Sequence, residues 1–180
     1  MKSPTEENDI IITNNFLPKE QFKVVRDIII GPTFAWYFNP IKVNENEDRS
    51  ISPGQFTHMI YEKDVPYSEF YQSHFIPILG QLVVAILGRI KMNLNPRLPE
   101  PFYSDFHIDV NDPNLATLMT TSIFYINTNN GYTEFEEGTK VESVANRLVT
   151  FPANTRHRGV SQTDEQTKIV INFNYLKGNT

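Results

Sequence analysis

The chain has 180 residues, a net charge of −5 and no cysteine. The length fits a single domain with a sizeable core. The lack of cysteine excludes disulfides, thiolate metal sites and cysteine nucleophiles, and the negative charge argues against a general nucleic-acid binder, which is normally basic. The longest apolar stretch, residues 75–90, is too short and too interrupted to span a bilayer. With no apolar signal core near residue 1, we expect a cytoplasmic protein.

The first sixty residues predict a tail, short strands and one helix. Residues 1–8 are polar and predict a flexible tail. The helix begins at Leu17-Pro18 and ends at Gly31-Pro32, and Phe22, Val25 and Ile29 form its buried stripe. Strands are predicted at 9–13, 33–38 and 55–61. The polar segment 43–54 predicts a mobile loop, which is either a lid over the substrate or a solvated connector.

A long helix is predicted next, over residues 68–90. Its first segment covers 68–74, and Pro77 lies near the start of a second segment. From residue 75 to residue 90 the apolar side chains recur with a 3.6-residue period, so the helix needs a sheet or another helix to cover its stripe. Residues 93–101 contain three prolines and predict a connector.

From residue 102 onward, short strands alternate with turns. Strands are predicted at 103–108, 119–127, 133–135, 140–143, 148–151, 158–160 and 168–175. Such spacing is typical of an antiparallel sandwich or barrel. Because the helices come first, we expect a mainly β jelly roll buttressed by N-terminal α-helices. A single domain then divides into the tail 1–8, a support region 9–101 and a jelly-roll core 102–176.

The last strand has two different faces. Lys168, Asn172 and Asn174 share one face, and isoleucines and aromatics share the other. If the apolar face packs on the helices, the Lys168 face points into the barrel and lines a pocket for a polar, anionic ligand. An exposed edge strand is the alternative. In strand 119–127, the face with Thr121 also carries Ile123, Tyr125 and Asn127, and Tyr125 is alternatively a core tyrosine.

The candidate metal site is a His-x-Asp pair with one distant histidine. His107 and Asp109 project to the same side of a strand, because strand side chains alternate. His157 from a neighbouring strand would complete a facial triad suited to Fe(II), with three coordination positions open. Three unrelated surface residues are the alternative. The other two histidines, His58 and His74, lie outside the motif, and we expect local hydrogen bonds or solvent to satisfy them.

The segment from Tyr103 to Tyr175 resembles the catalytic core of the Fe(II)/2-oxoglutarate-dependent dioxygenases. Within that superfamily it is most similar to small prolyl-4-hydroxylase-like members, including phage and bacterial ones. The matching pieces are His-Ile-Asp at 107–109, Thr-Ser-Ile-Phe-Tyr-Ile-Asn at 121–127, Asn-Gly-Tyr-Thr-Glu-Phe at 130–135, Arg-Leu-Val-Thr-Phe at 147–151, His-Arg-Gly at 157–159 and Lys-Ile-Val-Ile-Asn-Phe at 168–173.

The resemblance implies a double-stranded β-helix, a cupin-like jelly roll, with an iron site. His107, Asp109 and His157 would hold Fe(II). The cosubstrates would be 2-oxoglutarate and O2, with stimulation by ascorbate. The resemblance places these residues around 2-oxoglutarate: Lys168 and Tyr125 at the distal carboxylate, Thr133, Thr121, Asn127 and Asn172 as further pocket candidates, and Tyr103 at the cosubstrate end. Many family members have Arg in place of Lys168, so a hydroxyl such as that of Tyr125 must complete the cradle.

The implied reaction hydroxylates an aliphatic carbon and releases succinate and CO2. By resemblance the acceptor is a prolyl residue of a peptide or protein. Free amino acids and nucleobases are alternative acceptors, and the negative charge weighs against nucleic acid. A non-catalytic jelly-roll binding module is the rival from another class. The aromatic run at residues 36–38 would line a substrate entrance or pack in the core, and Arg156 and Arg158 would meet substrate or solvent.

Overall fold

The computed structural model describes residues 10–40 and 53–178. The first half contains β1 (Ile11–Thr13), α1 (Lys19–Ile29), β2 (Tyr37–Asn39), β3 (Gln55–Glu62), β4 (Val65–Pro66), a π-helical turn (Tyr71–Phe75), α2 (Ile76–Leu82) and β5 (Val84–Pro96). The second half contains α3 (Pro113–Leu118), β6 (Thr120–Tyr125), β7 (Tyr132–Phe135), β8 (Lys140–Glu142), β9 (Arg147–Pro152), β10 (His157–Val160) and β11 (Thr167–Lys177). The predicted tail 1–8 and residues 43–52 of the predicted loop lie outside the described residues.

The strands of the described residues form two antiparallel sheets. The larger sheet has the order β1-β9-β6-β11-β5-β3-β2, with β4 beside β3. The smaller sheet has the order β10-β7-β8. Two isolated bridges, Tyr103 to Val160 and His107 to His157, add an extended segment beside β10. The prediction of a mainly β fold with N-terminal helices is therefore confirmed.

Helices cover the outer face of the larger sheet. Phe22 of α1 contacts Phe124 of β6 edge to face, with ring centroids 5.9 Å apart. Ile78 of α2 and Phe173 of β11 belong to the same buried cluster. A second apolar cluster lies around Tyr125. No helix in the described ranges combines the length and the apolar character needed to span a bilayer.

The predicted long helix is wrong beyond α2, because residues 84–96 form strand β5 instead. Val83 takes a left-handed conformation (φ 55°, ψ 52°) and ends α2. The β5 strand then pairs with both β11 and β3, so residues 93–96 are not a connector. The cause of the error is a β-bulge at Gly88. Because of the bulge, Leu87 lies opposite Tyr175 and Ile90 lies opposite Phe173. The two β5 residues are therefore three positions apart, and that spacing also fits one face of a helix.

Three smaller differences concern local structure. The predicted strand 33–38 begins only at Tyr37. The predicted strand 103–108 contacts its neighbour through two isolated bridges rather than a continuous ladder. The predicted turn at Asp112-Pro113 is the start of α3, where Asp112 accepts hydrogen bonds from the backbone N–H groups of Asn114 and Leu115 and Pro113 takes the first helical position.

Replacing Phe173 with alanine tests the core between the helices and the larger sheet. The side chain is fully buried and packs 6.2 Å from the ring of Phe75. Because the change leaves a cavity, we expect a loss of about 3–5 kcal/mol in the free energy of unfolding, measured by urea denaturation. Lys177→Ala, an exposed position on the same strand, should change stability by about 0.5 kcal/mol or less. Equal effects of the two changes would contradict this description of the core.

Candidate metal centre and its pocket

The three predicted metal ligands converge on one point between the sheets. The His107–His157 bridge brings the two imidazoles together, with ring centroids 4.8 Å apart. Asp109 follows two residues after His107. One ligand atom from each of the three side chains lies within 4.8 Å of the others. The group therefore has the composition and the spacing of a site that could hold a divalent metal.

Backbone carbonyls orient both imidazoles. The Nδ1 atom of His107 lies 3.0 Å from the carbonyl oxygen of Asp105, and Nδ1 of His157 lies 3.1 Å from that of Thr155. A carbonyl can only accept, so each Nδ1 carries the proton and donates. In the neutral form of each ring, Nε2 then keeps its lone pair. Such a second contact selects the tautomer that binds a metal through Nε2.

The Asp109 carboxylate has one oxygen that the described residues leave unsatisfied. Its Oδ1 accepts from Arg89 Nη2 at 3.3 Å. Its Oδ2 is buried without a hydrogen-bond partner and lies 3.7 Å from Nε2 of His157. A buried anionic oxygen without a partner is costly. A cation bound between the carboxylate and the imidazoles would remove that cost.

The electrostatics favour the protonation states that a metal requires. Burial raises the pKa of Asp109, but its neighbours His157, Arg89 and His107 together with a hydrogen bond outweigh this effect and hold the pKa below the usual value. Burial lowers the pKa of His157, although Asp109 acts in the opposite direction. A carboxylate beside neutral imidazoles is the form that binds a divalent ion.

A cavity of about 210 Å³ contains the metal centre and continues between the two sheets. Its walls include the inner-face residues Gln55, Arg89, Lys91, Asn93, Asn95, Lys168, Val170 and Asn172 from the larger sheet, and Ser104, Thr133, Gly159, Val160 and Ser161 from the smaller sheet and its flanking segments. Among the described lining residues, three cationic side chains face one carboxylate, so the cavity suits an anionic ligand.

Lys168 is buried in this cavity, so the exposed-strand alternative is wrong. Only 4% of the residue is exposed. Its Nζ donates to the carbonyl oxygens of Tyr132 and Val160, both at 2.8 Å. These carbonyls belong to β7 and β10, so the lysine crosses the cavity and fixes the larger sheet to the smaller one.

Tyr125 and Thr133 form a pair behind the wall of the cavity. The Tyr125 hydroxyl donates to Thr133 Oγ1 at 2.6 Å. Thr133 lines the cavity, whereas Tyr125 is fully buried in the cluster with Phe135 and Val141. Burial raises the pKa of Tyr125, so the phenol stays protonated and donates at neutral pH. Tyr125 is thus a core residue whose hydroxyl orients a cavity residue.

The other predicted cosubstrate residues take different places. Asn172 lines the cavity. Tyr103 is half exposed and lies outside the wall, with its ring 5.0 Å from the Arg158 guanidinium. Thr121 accepts from Asn174 Nδ2 at 2.9 Å. Asn127 bonds the backbone of β11, accepting from Ile169 N–H and donating to Thr167 O.

The two remaining histidines are satisfied locally, as expected. His58 is held at Nδ1 by the Ala35 carbonyl (2.7 Å) and at Nε2 by Ser68 Oγ (2.9 Å). His74 contacts Ser73 Oγ at 2.6 Å. Neither joins the metal-ligand group found among the described residues.

Among the flanking residues, both arginines make ion pairs at the surface of the smaller sheet. Arg156 pairs with Glu136 and Arg158 with Glu134. Of the aromatic run 36–38, Trp36 packs against the core, whereas Tyr37 and Phe38 are exposed.

Among the cavity residues that were not predicted from the sequence, four lie on one strand. Arg89, Lys91, Asn93 and Asn95 all project from the inner face of β5 into the cavity. The segment was interpreted as the end of a helix and a connector, so these side chains received no role. A signal was present, because polar residues alternate with Ile90, Met92 and Leu94 in the period of a strand.

Comparison with solved structures identifies the fold. A 2OG-Fe(II) oxygenase family oxidoreductase from Burkholderia pseudomallei aligns with a TM-score of 0.66, 7% identity and coverage of 96% of this chain and 87% of that one. A prolyl-4-hydroxylase from Pseudomonas putida aligns with a TM-score of 0.61, 14% identity and coverage of 96% and 94%. The chain has the fold of the 2OG-Fe(II) oxygenases. The predicted double-stranded β-helix and the predicted similarity to this group are thereby confirmed at the level of fold.

A third structure with the oxygenase fold contains a bound peptide. It is a prolyl hydroxylase from Trichoplax adhaerens in complex with a hypoxia inducible factor oxygen degradation domain peptide fragment, with a TM-score of 0.58, 15% identity and coverage of 95% and 84%. No protein-family model and no curated protein matches the sequence. Beyond the short motifs, the likeness to these proteins is therefore one of fold rather than of overall sequence.

Replacing Asp109 with alanine tests the metal centre directly. We expect the wild-type protein to bind one equivalent of Mn(II) or Co(II), because Asp109 supplies an anionic ligand beside two neutral imidazoles. Asp109→Ala should weaken binding about 100-fold or more, measured by calorimetry. Asp105→Asn, which removes an exposed carboxylate two residues before His107, is the control and should bind metal normally. Unchanged affinity in Asp109→Ala would remove this residue from the site.

Proposed function

We propose that the protein is an Fe(II)- and 2-oxoglutarate-dependent dioxygenase. The observation that carries this proposal is the buried Asp109 Oδ2, which has no hydrogen-bond partner among the described residues and lies beside two imidazoles that are oriented by their Nδ1 contacts. A non-catalytic binding module would gain nothing from an unpaired buried carboxylate, so this observation disfavours that alternative.

The three ligands would hold Fe(II) and leave three coordination positions open. When bound, the metal supplies the site where 2-oxoglutarate chelates and O2 is activated, and ascorbate would act as a reductant that maintains Fe(II). His107 and His157 contribute neutral nitrogens, and Asp109 contributes one negative charge. Arg89 holds Oδ1 of that carboxylate and so would leave Oδ2 free to bind the metal.

Lys168 would pair with the distal carboxylate of 2-oxoglutarate. Its buried ammonium gains most from a charged partner, because the cavity screens charges poorly. The Thr133 hydroxyl, oriented by Tyr125, would supply a second hydrogen bond that a lysine cannot provide by itself. Asn172 lines the cavity on the same face of β11 but lies four residues beyond Lys168, outside this cradle. Tyr103 lies outside the cavity wall and has no part in this cradle.

The acceptor in this proposal is an aliphatic carbon of a prolyl residue in a peptide or protein, with release of succinate and CO2. Two of the similar structures are prolyl hydroxylases, and one of them was crystallised with a peptide. The apolar side chains of Ile123, Val160 and Val170 contribute to the cavity wall. They would limit the access of water to the reacting atoms.

Absorbance under anaerobic conditions tests cosubstrate binding. Adding Fe(II) and then 2-oxoglutarate to the wild type should produce a visible metal-to-ligand charge-transfer band. Lys168→Ala should keep the band but raise the 2-oxoglutarate concentration at half-saturation about tenfold or more, because one charge-assisted contact is lost. Lys177→Ala, an exposed lysine on the same strand, is the matched control and should leave half-saturation unchanged.

Two results would contradict this assignment in different ways. Absence of the band in the wild type would reject the oxygenase. A normal band with the same half-saturation in Lys168→Ala would reject only the role of Lys168.

Mass spectrometry of proline-containing peptide libraries tests the acceptor. After incubation with Fe(II), 2-oxoglutarate and O2, at least one peptide should gain the mass of one oxygen atom at proline, in step with succinate formation. His107→Ala should abolish both products, because the metal loses a ligand. Oxygen insertion at another residue, or none in any peptide, would exclude the prolyl acceptor.

A further inference from the structure

The cavity contains a polar group that neither the metal centre nor the Lys168 cradle uses. Lys91 of β5 and Asn172 of β11 are register partners on adjacent strands. Asn93 lies two residues further along β5 on the same face, and all three line the cavity. We call these three residues the inner-face subsite.

Each member of the inner-face subsite has unused binding capacity. The Oδ1 atoms of Asn93 and Asn172 are buried without a hydrogen-bond partner in the described part of the chain. The Lys91 ammonium likewise makes no ion pair with any side chain of residues 10–40 or 53–178. Its pKa is lowered first by burial and then by the charge of Arg89. Together these atoms offer one cationic donor beside two acceptors.

The inner-face subsite lies at the metal end of the cavity. Arg89, two residues before Lys91 on β5, contacts Asp109 directly, and the Asp109 charge also acts on Lys91. The register partner of Lys168 is Asn95, four residues after Lys91. At about 3.3 Å per residue, those two positions are about 13 Å apart along the strand. The distal carboxylate held by Lys168 is therefore too far from Lys91 to pair with it, and the other end of the same molecule would be occupied by the metal.

We propose that the inner-face subsite binds a carboxylate of the acceptor, so that the acceptor is an acidic amino acid derivative or peptide. This inference rests on the proposed function and specifies its substrate class. Lys91 Nζ would donate to the carboxylate, and the two asparagine oxygens would accept from N–H groups of the same molecule. A carboxylate close to N–H donors is the chemistry of an amino acid or a peptide.

The same arrangement would reject uncharged acceptors. An amide in place of the carboxylate leaves the Lys91 charge buried and unpaired, which costs more than the loss of an ordinary contact. The carboxylate has two possible sources, a chain terminus at the reacting residue or an acidic side chain beside it. Both present the same group to Lys91, so they must be separated by experiment.

The test uses Lys91→Met and two pairs of probes. One pair is N-acetyl-glycyl-L-proline and its amide, which represents a terminal carboxylate and keeps the glycyl N–H in both members. The other pair is acetyl-Asp-Pro-amide and acetyl-Asn-Pro-amide, which represents an acidic side chain. Binding to the anaerobic complex of wild-type protein with Fe(II) and 2-oxoglutarate is measured by calorimetry. The 2-oxoglutarate half-saturation is measured separately from the charge-transfer band.

In the wild type, one of the two acids should bind about tenfold or more tightly than its amide, the ratio for one charge-assisted hydrogen bond in a desolvated site. The pair that discriminates identifies the source of the carboxylate. Lys91→Met should reduce the ratio to about one while leaving 2-oxoglutarate half-saturation within about twofold. Lys91→Arg keeps the charge and should retain a preference for the acid. This result would show that the effect of Lys91→Met comes from the lost charge and not from disturbed folding.

The outcomes separate this inference from the proposed function. If the wild type forms the charge-transfer band but neither acid binds more tightly than its amide, the inner-face subsite is refuted and the oxygenase stands. The same holds if Lys91→Met keeps the preference, or if it raises 2-oxoglutarate half-saturation as Lys168→Ala does. Absence of the band in the wild type removes the oxygenase and this inference with it.

Discussion

The antiparallel pairing of β5 with β11 is the constraint on which both the apolar core and the cavity depend. The pairing covers the full length of both strands, from the Thr167–Pro96 pair to the Lys177–Val84 pair. On the outer face it aligns Phe173 with Ile90, which the helices cover. On the inner face it aligns Asn172 with Lys91, which faces the cavity. Because side chains alternate along paired strands, a single register builds the apolar core and the polar pocket together.

The bulge at Gly88 allows the same two strands to continue past the metal end of the cavity. A Cβ atom at this position would lie 3.0 Å from the Asn174 carbonyl oxygen and 2.7 Å from Met119 Cε, so only glycine fits without a shift. Arg89 follows the bulge directly and reaches across to Asp109. Arg89 of the larger sheet thus orients the Asp109 carboxylate, which belongs to the segment beside the smaller sheet. This ion pair joins the two sheets at the metal end of the cavity.

Prediction from sequence worked where the determining interactions are local. His107 and Asp109 share a face because they are two residues apart, and the Lys168 face followed from alternation along one strand. Prediction failed at β5 because the bulge places outward-facing apolar residues three positions apart instead of two, and a spacing of three is typical of a helix. The error hid Arg89 and Lys91, whose roles depend on the sheet they join. Tyr103 aligns with β10 through one bridge, but its ring turns to Arg158 instead of the cavity.

The sequence by itself determined the mainly β character, the candidate ligands and the residues that share a face with Lys168, because periodicity and short motifs report which side chains share a face. Only the tertiary structure decided that His157 meets His107 and that Asp109 retains a buried oxygen without a partner among the described residues. Only the tertiary structure assigned β5 to the cavity wall. These contacts join residues far apart in the chain, and their geometry depends on strand register, bulges and burial, which arise only when the two sheets pack together.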